Sequence, residues 1–223
     1  MGVDILRRRS RILATVLAPV ALLMASTLLP TPLSALLPTA SAACSDIEVV
    51  FARGTNDSPG AGSVGNAFIS ALRSQVGGRS VGVYGVNYPA SYDFRAAADG
   101  ANDASAHVQG TVNNCPDTRI VLGGYSQGAA VIDVIAASPV PGLGFSAPLP
   151  PGTDGHVAAI AVFGNPSAKL GQPLTNSPVY GNRTIDLCAN GDPVCSAGDD
   201  FDAHTGYVPG LTNQAAAFVA SHL

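Results

Sequence analysis

Short, continuous apolar runs alternate with amphipathic segments through most of this 223-residue chain, and this alternation restricts the fold more than any other feature. Five apolar runs rich in β-branched residues span 47–52, 81–88, 119–123, 157–163 and 183–187. Segments with helical spacing of apolar residues span 63–75, 101–112, 129–137 and 214–223. Strands that are buried on both faces and joined through helices form parallel sheets. The sequence therefore predicts one three-layer α/β/α sandwich around a five-stranded parallel sheet.

The first 42 residues have the pattern of an export signal. A basic stretch at 7–11 precedes an apolar run at 12–29, and the small residues Ala40-Ser41-Ala42 follow. We therefore expect a signal peptide at 1–42 and one domain at 43–223. A retained membrane anchor is the alternative, because the apolar run is long enough to cross a bilayer. Three prolines between 30 and 38 favour cleavage, and Arg8-Arg9 leaves the choice between general secretory and twin-arginine export open.

Charged residues are scarce and do not favour a polyanionic partner. They make up 12% of the chain, the formal net charge is -4, and several of the arginines lie in the leader. Nucleic-acid binding requires a basic face that releases phosphate counterions. We therefore expect no nucleic-acid partner and, after signal cleavage, no stable membrane insertion.

The segment Gly124-Tyr125-Ser126-Gln127-Gly128 matches G-x-S-x-G and lies between the third predicted strand and the third predicted helix. A serine there occupies a sharp turn, whose glycines are needed because a Cβ would strike the adjacent strand or helix. The turn exposes the hydroxyl at a helix N-terminus, where the dipole favours negative charge. A Ser-Gly turn without chemistry is the alternative, and the strand-turn-helix context argues against it. We predict Ser126 as a nucleophile.

A serine hydroxyl becomes a good nucleophile only when a base removes its proton, so a histidine is required. His107 falls inside a predicted helix, His156 begins a strand, and His222 is the penultimate residue. His204 lies in a loop after the last predicted strand. In this kind of site the chain order is serine, acid, histidine, and His204 is the histidine that fits it.

The acid of such a triad must lie between these two residues. The candidates are Asp154, Asp186, Asp192, Asp199, Asp200 and Asp202. Asp154 follows a proline-rich loop, Asp186 falls within a strand, and the last three form a cluster typical of a solvated face. Asp192 follows the fifth strand between two cysteines, whose pairing would fix its carboxylate toward the histidine. A turn with no catalytic part is the alternative for this Asn-Gly-Asp-Pro segment.

An oxyanion formed at Ser126 needs two hydrogen-bond donors. One is expected from the backbone N–H of Gln127, directly after the nucleophile, and the other from the loop that follows an early strand. Thr55 lies in that loop and offers both an N–H and a hydroxyl.

Four cysteines, Cys44, Cys115, Cys188 and Cys195, follow the leader. An even number in an exported chain indicates two disulfides, and three connectivities are open. The short separation of Cys188 and Cys195 favours a local pair, which leaves Cys44 with Cys115. The spacing is not that of zinc ligands, so we expect no metal.

A proline- and glycine-rich segment at 138–155 is predicted to be a surface loop. Its apolar residues are Val140, Leu143, Phe145 and Leu149. They are expected either to pack normally or to form an apolar rim around a site.

Four blocks in this order resemble the cutinase family, most closely its bacterial secreted branch. They are Ala52-Arg53-Gly54-Thr55, the segment Gly123–Gly128, Gly191-Asp192-Pro193-Val194 between two cysteines, and Asp202-Ala203-His204. The resemblance covers the chain from about Cys44 to the C-terminus. It implies a small α/β-hydrolase with five parallel strands and no dedicated lid.

The same resemblance implies the disulfides Cys44–Cys115 and Cys188–Cys195. It also implies Ser126, Asp192 and His204 as the triad, with Thr55 and Gln127 as oxyanion donors. The family often has serine in the place of Thr55, whose additional methyl would narrow the acyl pocket while keeping the hydroxyl.

These observations predict a secreted serine carboxylic-ester hydrolase that works through an acyl-enzyme, without a metal or organic cofactor. We expect a monomer acting on an ester or lipid substrate, with cell-envelope association left open. One alternative is a lipase or phospholipase acting on long acyl chains at a lipid layer. A second is an envelope-associated binding or antigenic protein with little activity.

Overall fold

Five parallel strands form the centre of the protein, in the spatial order β2-β1-β3-β4-β5. The computed structural model describes residues 44–137 and 141–223. The strands are β1 (Ile47–Ala52), β2 (Val81–Gly85), β3 (Arg119–Tyr125), β4 (Val157–Phe163) and β5 (Thr184–Leu187). All seven residues of β4 are buried, as expected for a strand that is covered on both faces.

Two helices cover each face of this sheet. The four are α1 (Gly62–Gln75), α2 (Ala97–Asn114), α3 (Gln127–Ala137) and α4 (Gly210–Ala220). Helices α1 and α4 pack on one face, where Phe51, Phe68 and Phe163 form an aromatic cluster. Helices α2 and α3 pack on the other face around Val50, Leu122 and further aliphatic residues. The predicted three-layer α/β/α sandwich with a five-stranded parallel sheet is confirmed.

Strand β2 ends at Gly85, three residues before the predicted end at 88. The guanidinium of Arg53 explains the difference, because it donates hydrogen bonds to the carbonyl oxygens of Val86 (3.2 Å) and Tyr88 (2.6 Å). In return the Tyr88 hydroxyl donates to the carbonyl oxygen of Arg53 at 2.5 Å. These side-chain bonds join the two loops that follow β1 and β2.

All four helices begin earlier than the sequence pattern predicted, and two of them begin four residues earlier. Helix α2 begins at Ala97 rather than 101 and includes Gly100, where a Cβ would come within 3.0 Å of the Tyr88 ring. Helix α4 begins at Gly210, directly after a proline, rather than at 214. At Gly100 tertiary packing overrides the low helix propensity of glycine, whereas Gly210 is exposed and is the first residue of its helix.

The loop predicted at 138–155 divides into packed and exposed parts. Phe145 is buried in the core between α2 and α3, and Leu149 packs beside it. The side chain of Leu143 is fully exposed. Val140 and the predicted signal peptide lie outside the described residues.

The two predicted disulfides are both present. Cys44 pairs with Cys115, which ties the start of β1 to the end of α2, and Cys188 pairs with Cys195 after β5. Among residues 44–137 and 141–223, no helix has the length and apolarity needed to cross a membrane.

Candidate active site

Ser126 lies between the end of β3 and the start of α3, in a left-handed backbone conformation with φ 55°. This conformation is strained for a residue with a side chain, and such strain is typical of functional turns. A Cβ on Gly124 would collide with the backbone of Gly128, and one on Gly128 would collide with the backbone of Ala52. The two glycines of the motif therefore permit the close approach of β1, β3 and α3 that supports Ser126.

The imidazole of His204 faces this serine. His204 lies in a short helical turn (Ala203–Thr205) between β5 and α4, and its Nε2 is 2.9 Å from Ser126 Oγ. The other three histidines have different partners. His107 pairs with Glu48, His156 contacts the carbonyl oxygen of Pro116, and His222 contacts that of Phe218.

Asp192 completes a chain of hydrogen bonds on the far side of the imidazole. Its Oδ2 is 2.7 Å from His204 Nδ1, and its side chain is fully buried. Burial alone would raise the pKa of Asp192. Hydrogen bonds from Tyr207, His204 and the backbone N–H of Val194 outweigh this effect, so its pKa lies below the usual range. The carboxylate is therefore charged at neutral pH and can stabilise an imidazolium.

The remaining acidic candidates do not reach His204. Asp186 lies within β5, where the side-chain amide of buried Asn165 donates to both Asp186 (3.2 Å) and Asp133 (3.1 Å). Burial raises the pKa of each of these two carboxyl groups to about 6. Asp154 faces Arg183 at 3.8 Å. The last group of candidates is exposed on the surface: Asp199, Asp200 and Asp202.

Thr55 and Gln127 lie together beside the nucleophile. The hydroxyl of Thr55 donates to Gln127 Oε1 at 3.2 Å, and Gln127 is the first residue of α3. The N–H groups of a first helical turn have no partner within the helix, so the Gln127 N–H is available to an anion at this end of α3. The loop that carries Thr55 is held by Arg53, which is buried.

Two tyrosines at this site had no predicted role. The Tyr125 hydroxyl donates to the carbonyl oxygen of His204 at 2.5 Å, and its ring stacks on the imidazole. The Tyr207 hydroxyl donates to Asp192 Oδ2, also at 2.5 Å. Both residues belong to the motifs that carry the serine and the histidine, but their partners are brought near only by the folded sheet.

Several large apolar side chains are exposed on the loops around this site. Tyr92 and Phe94 follow β2, Leu170 follows β4, and Phe201 and Val208 flank His204. In a parallel sheet the loops after the strands share one edge, which is where ligands bind in such folds. Large exposed apolar side chains therefore lie on segments that leave the edge of the sheet at which Ser126 lies.

The described residues contain one group of potential metal ligands, formed by Cys188, Asp192 and Cys195. The two sulfur atoms form a disulfide, and the carboxylate is bonded to His204. This group does not have the free thiolates that a metal site of this composition needs.

This parallel sheet carries a strained serine at a strand-to-helix turn and a line of hydrogen bonds from serine to histidine to aspartate at the strand ends. This combination defines a serine hydrolase of the α/β type. The Cutinase family profile matches residues 43–223. The chain belongs to the cutinase family.

Individual relatives agree with this assignment. Phospholipase Culp4 of Mycobacterium tuberculosis is 62% identical, with 89% of this chain and 87% of the relative aligned. Carboxylesterase Culp1 of the same species is 53% identical, with 81% of this chain and 82% of the relative aligned. Probable carboxylesterase Culp2 of Mycobacterium bovis is 51% identical, with 99% of both chains aligned.

Solved structures agree as well. Trichoderma reesei cutinase in complex with a phosphonate inhibitor has a TM-score of 0.65 and 32% identity, covering 80% of this chain and 77% of that one. An acetylxylan esterase has a TM-score of 0.68 and 27% identity, covering 81% of this chain and 99% of that one. The protein is a carboxylic-ester hydrolase.

Proposed function

We propose that Ser126, His204 and Asp192 are the catalytic triad of this esterase. The continuous line of hydrogen bonds from Ser126 Oγ through the imidazole to Asp192 is the observation that carries the proposal. His204 Nε2 removes the hydroxyl proton while Oγ attacks the ester carbonyl carbon. The Asp192 carboxylate stabilises the resulting imidazolium and holds the ring in the required tautomer.

The tetrahedral oxyanion is stabilised by Thr55 and Gln127. Their backbone N–H groups donate to it, and the hydroxyl of Thr55, which donates to the Gln127 side chain at rest, offers a third donor. Collapse of the intermediate breaks the bond to the alkoxy oxygen, which leaves with the proton from His204. Water then attacks the acyl-enzyme by the same route and releases the acid. No metal or organic cofactor takes part.

Labelling by a p-nitrophenyl alkylphosphonate tests the assignment. We expect one phosphonyl group per folded chain, attached to Ser126 Oγ with loss of p-nitrophenolate, because only an activated serine displaces this leaving group quickly. Peptide mass spectrometry locates the group, and the same chain unfolded in guanidinium is the control. Absence of label on Ser126 in folded protein would contradict the triad and would favour the binding-protein alternative.

For the substrate, we propose esters of lipids presented at an aggregated surface. The exposed side chains Tyr92, Phe94, Leu170 and Phe201, on segments that follow β2, β4 and β5, support this choice, because moving large apolar groups from water into contact with acyl chains lowers the free energy. The relative named Phospholipase Culp4 is consistent with it. Soluble short-chain esters would gain little binding free energy from contact with these side chains.

A comparison of vesicles and monomers tests the substrate proposal. We expect hydrolysis of phosphatidylcholine in vesicles, and a double variant Phe94→Ser with Phe201→Ser should lower that rate about tenfold while p-nitrophenyl butyrate hydrolysis stays within twofold. Fatty-acid release and p-nitrophenol absorbance measure the two rates. Equal losses on both substrates, or no vesicle hydrolysis by the wild type, would favour soluble esters.

We also propose that the protein is secreted as a monomer after removal of residues 1–42. The basic, apolar and small-residue pattern of the leader and the two disulfides of the domain support export to an oxidising compartment.

A further inference from the structure

Tyr207 is a core residue on the α1 and α4 side of the sheet, and it lies beside the imidazole of His204. Its side chain is fully buried, its ring meets the imidazole of His204 edge-on at 6.3 Å, and it also contacts the rings of Tyr125 and Phe163. A residue in this position has no access to a bound ester. Any effect of Tyr207 on the reaction must therefore pass through the groups that it contacts.

The Tyr207 hydroxyl has two polar partners, and both lie in the loop that the Cys188–Cys195 disulfide closes. It donates to Asp192 Oδ2 at 2.5 Å and accepts from the backbone N–H of Ala189 at 3.2 Å, just after β5. It also lies 3.5 Å from the sulfur of Cys195. One hydroxyl thus connects the loop that carries His204 to the disulfide-closed loop that carries Asp192.

The oxygen that accepts this bond is the one that faces the histidine. Asp192 Oδ2 receives both the Tyr207 hydroxyl and His204 Nδ1, whereas Oδ1 receives the backbone N–H of Val194 at 2.7 Å. Donors on both sides of a carboxylate restrict its rotation, and hydrogen bonds to a charged acceptor are among the stronger ones in proteins. Such a restraint is useful here because Asp192 lies in a loop and His204 in a single short helical turn.

We propose that Tyr207 is a positioning residue for ester hydrolysis, whose hydroxyl holds Oδ2 of Asp192 at the place from which it orients His204. The proposal rests on the triad proposed above. The disulfide and Tyr207 have complementary roles. The Cys188–Cys195 bond closes the loop around Asp192, and Tyr207 fixes the rotation of the carboxylate within that loop.

The shared oxygen also connects Tyr207 to the pH dependence of the reaction. The ionisable groups facing Asp192 are His204 and Tyr207, while Tyr125 packs on the imidazole and Asp57 acts on Tyr125 from the loop after β1. Burial and the neighbouring carboxylate raise the pKa of Tyr207, so it remains a donor throughout the working range. A constant donor on Oδ2 reduces the negative charge available to the imidazolium. Its removal should therefore strengthen the attraction between the Asp192 carboxylate and the imidazolium.

The variant Tyr207→Phe tests this role against the matched control Tyr125→Phe. Each removes one buried hydroxyl beside His204, but only the first removes a bond to Asp192. For p-nitrophenyl butyrate we expect Tyr207→Phe to lower kcat about tenfold with KM unchanged. The acid limb of its kcat/KM profile should move up by roughly half a pH unit or more. In Tyr125→Phe the limb should stay in place.

Several outcomes would overturn the role of Tyr207. These are an unshifted acid limb in Tyr207→Phe, an equal shift in both variants, or a loss that appears only in KM. If Tyr207→Phe is not recovered folded, proton NMR of the wild type decides. A slowly exchanging Tyr207 hydroxyl proton with a cross-peak to the His204 Nδ1 proton is expected, and its absence would reject the shared-oxygen geometry. Phosphonate labelling of Ser126 separates failure of this role from failure of the triad.

Discussion

Replacement of Ser126 by alanine is expected to lower kcat/KM for p-nitrophenyl butyrate by roughly 10⁴–10⁶-fold, with the melting temperature nearly unchanged. In the proposed mechanism the hydroxyl oxygen of Ser126 forms the acyl-enzyme, and nothing else on the line from Ser126 to Asp192 can replace it. Stability should persist because alanine keeps the backbone N–H of residue 126, which donates to the carbonyl oxygen of Phe163 at 2.8 Å. Initial rates and thermal unfolding of the same preparation measure the two quantities.

The matched control for this variant is Ser167→Ala. Ser167 lies after β4 near the same edge of the sheet, and its Oγ is buried, but it is not part of the serine–histidine–aspartate chain. Its removal should leave the rate within about twofold, as is usual for changes away from the reacting atoms. Comparable losses in both variants would indicate damage to this edge of the sheet rather than loss of a nucleophile. Substantial turnover by Ser126→Ala would indicate another nucleophile.

Ser126, Asp192 and His204 could be predicted because each was identified from its position along the chain relative to the strands and helices. A strand, a G-x-S-x-G turn and a helix place Ser126 wherever the sheet forms, because the geometry of that turn is local. His204 and Asp192 were identified by their positions after the last strand. In a parallel sheet, segments that follow strands meet at one edge whatever the lengths of the intervening helices. Topology alone therefore brought the three side chains to one place.

The supporting residues could not be predicted in the same way. Arg53 holds the loops after β1 and β2 through carbonyl oxygens that belong to Val86 and Tyr88, and a carbonyl oxygen has no signature in a sequence. Tyr207 was visible only as an aromatic residue in the histidine loop, which is equally typical of core packing. Its hydroxyl gains a partner because the disulfide-closed loop brings Asp192 to it. Such contacts depend on the folded sheet rather than on spacing.

Asp192→Asn is expected to lower kcat by about 10⁴-fold while the protein remains folded. The three donors that converge on the carboxylate give the reason. Val194 N–H at Oδ1 can only donate, so the single amide oxygen of asparagine must face it, and the amide NH₂ must face His204 and Tyr207. His204 Nδ1 would then accept a hydrogen bond and Nε2 would carry the proton. An imidazole in that tautomer cannot take a proton from Ser126.

Asp186→Asn is the matched control, because it makes the same change in a half-buried acid on β5 that contacts Asn165 rather than His204. Burial raises the pKa of Asp186 to about 6, so the charged carboxylate opposes folding above that pH. Asparagine there should not lower stability at pH 8, and turnover should stay within about threefold of the wild type. Rates of p-nitrophenyl butyrate hydrolysis and melting temperatures at pH 8 measure both variants. A loss of less than about tenfold in Asp192→Asn, with Asp186→Asn unaffected, would mean that residue 192 does not select the histidine tautomer.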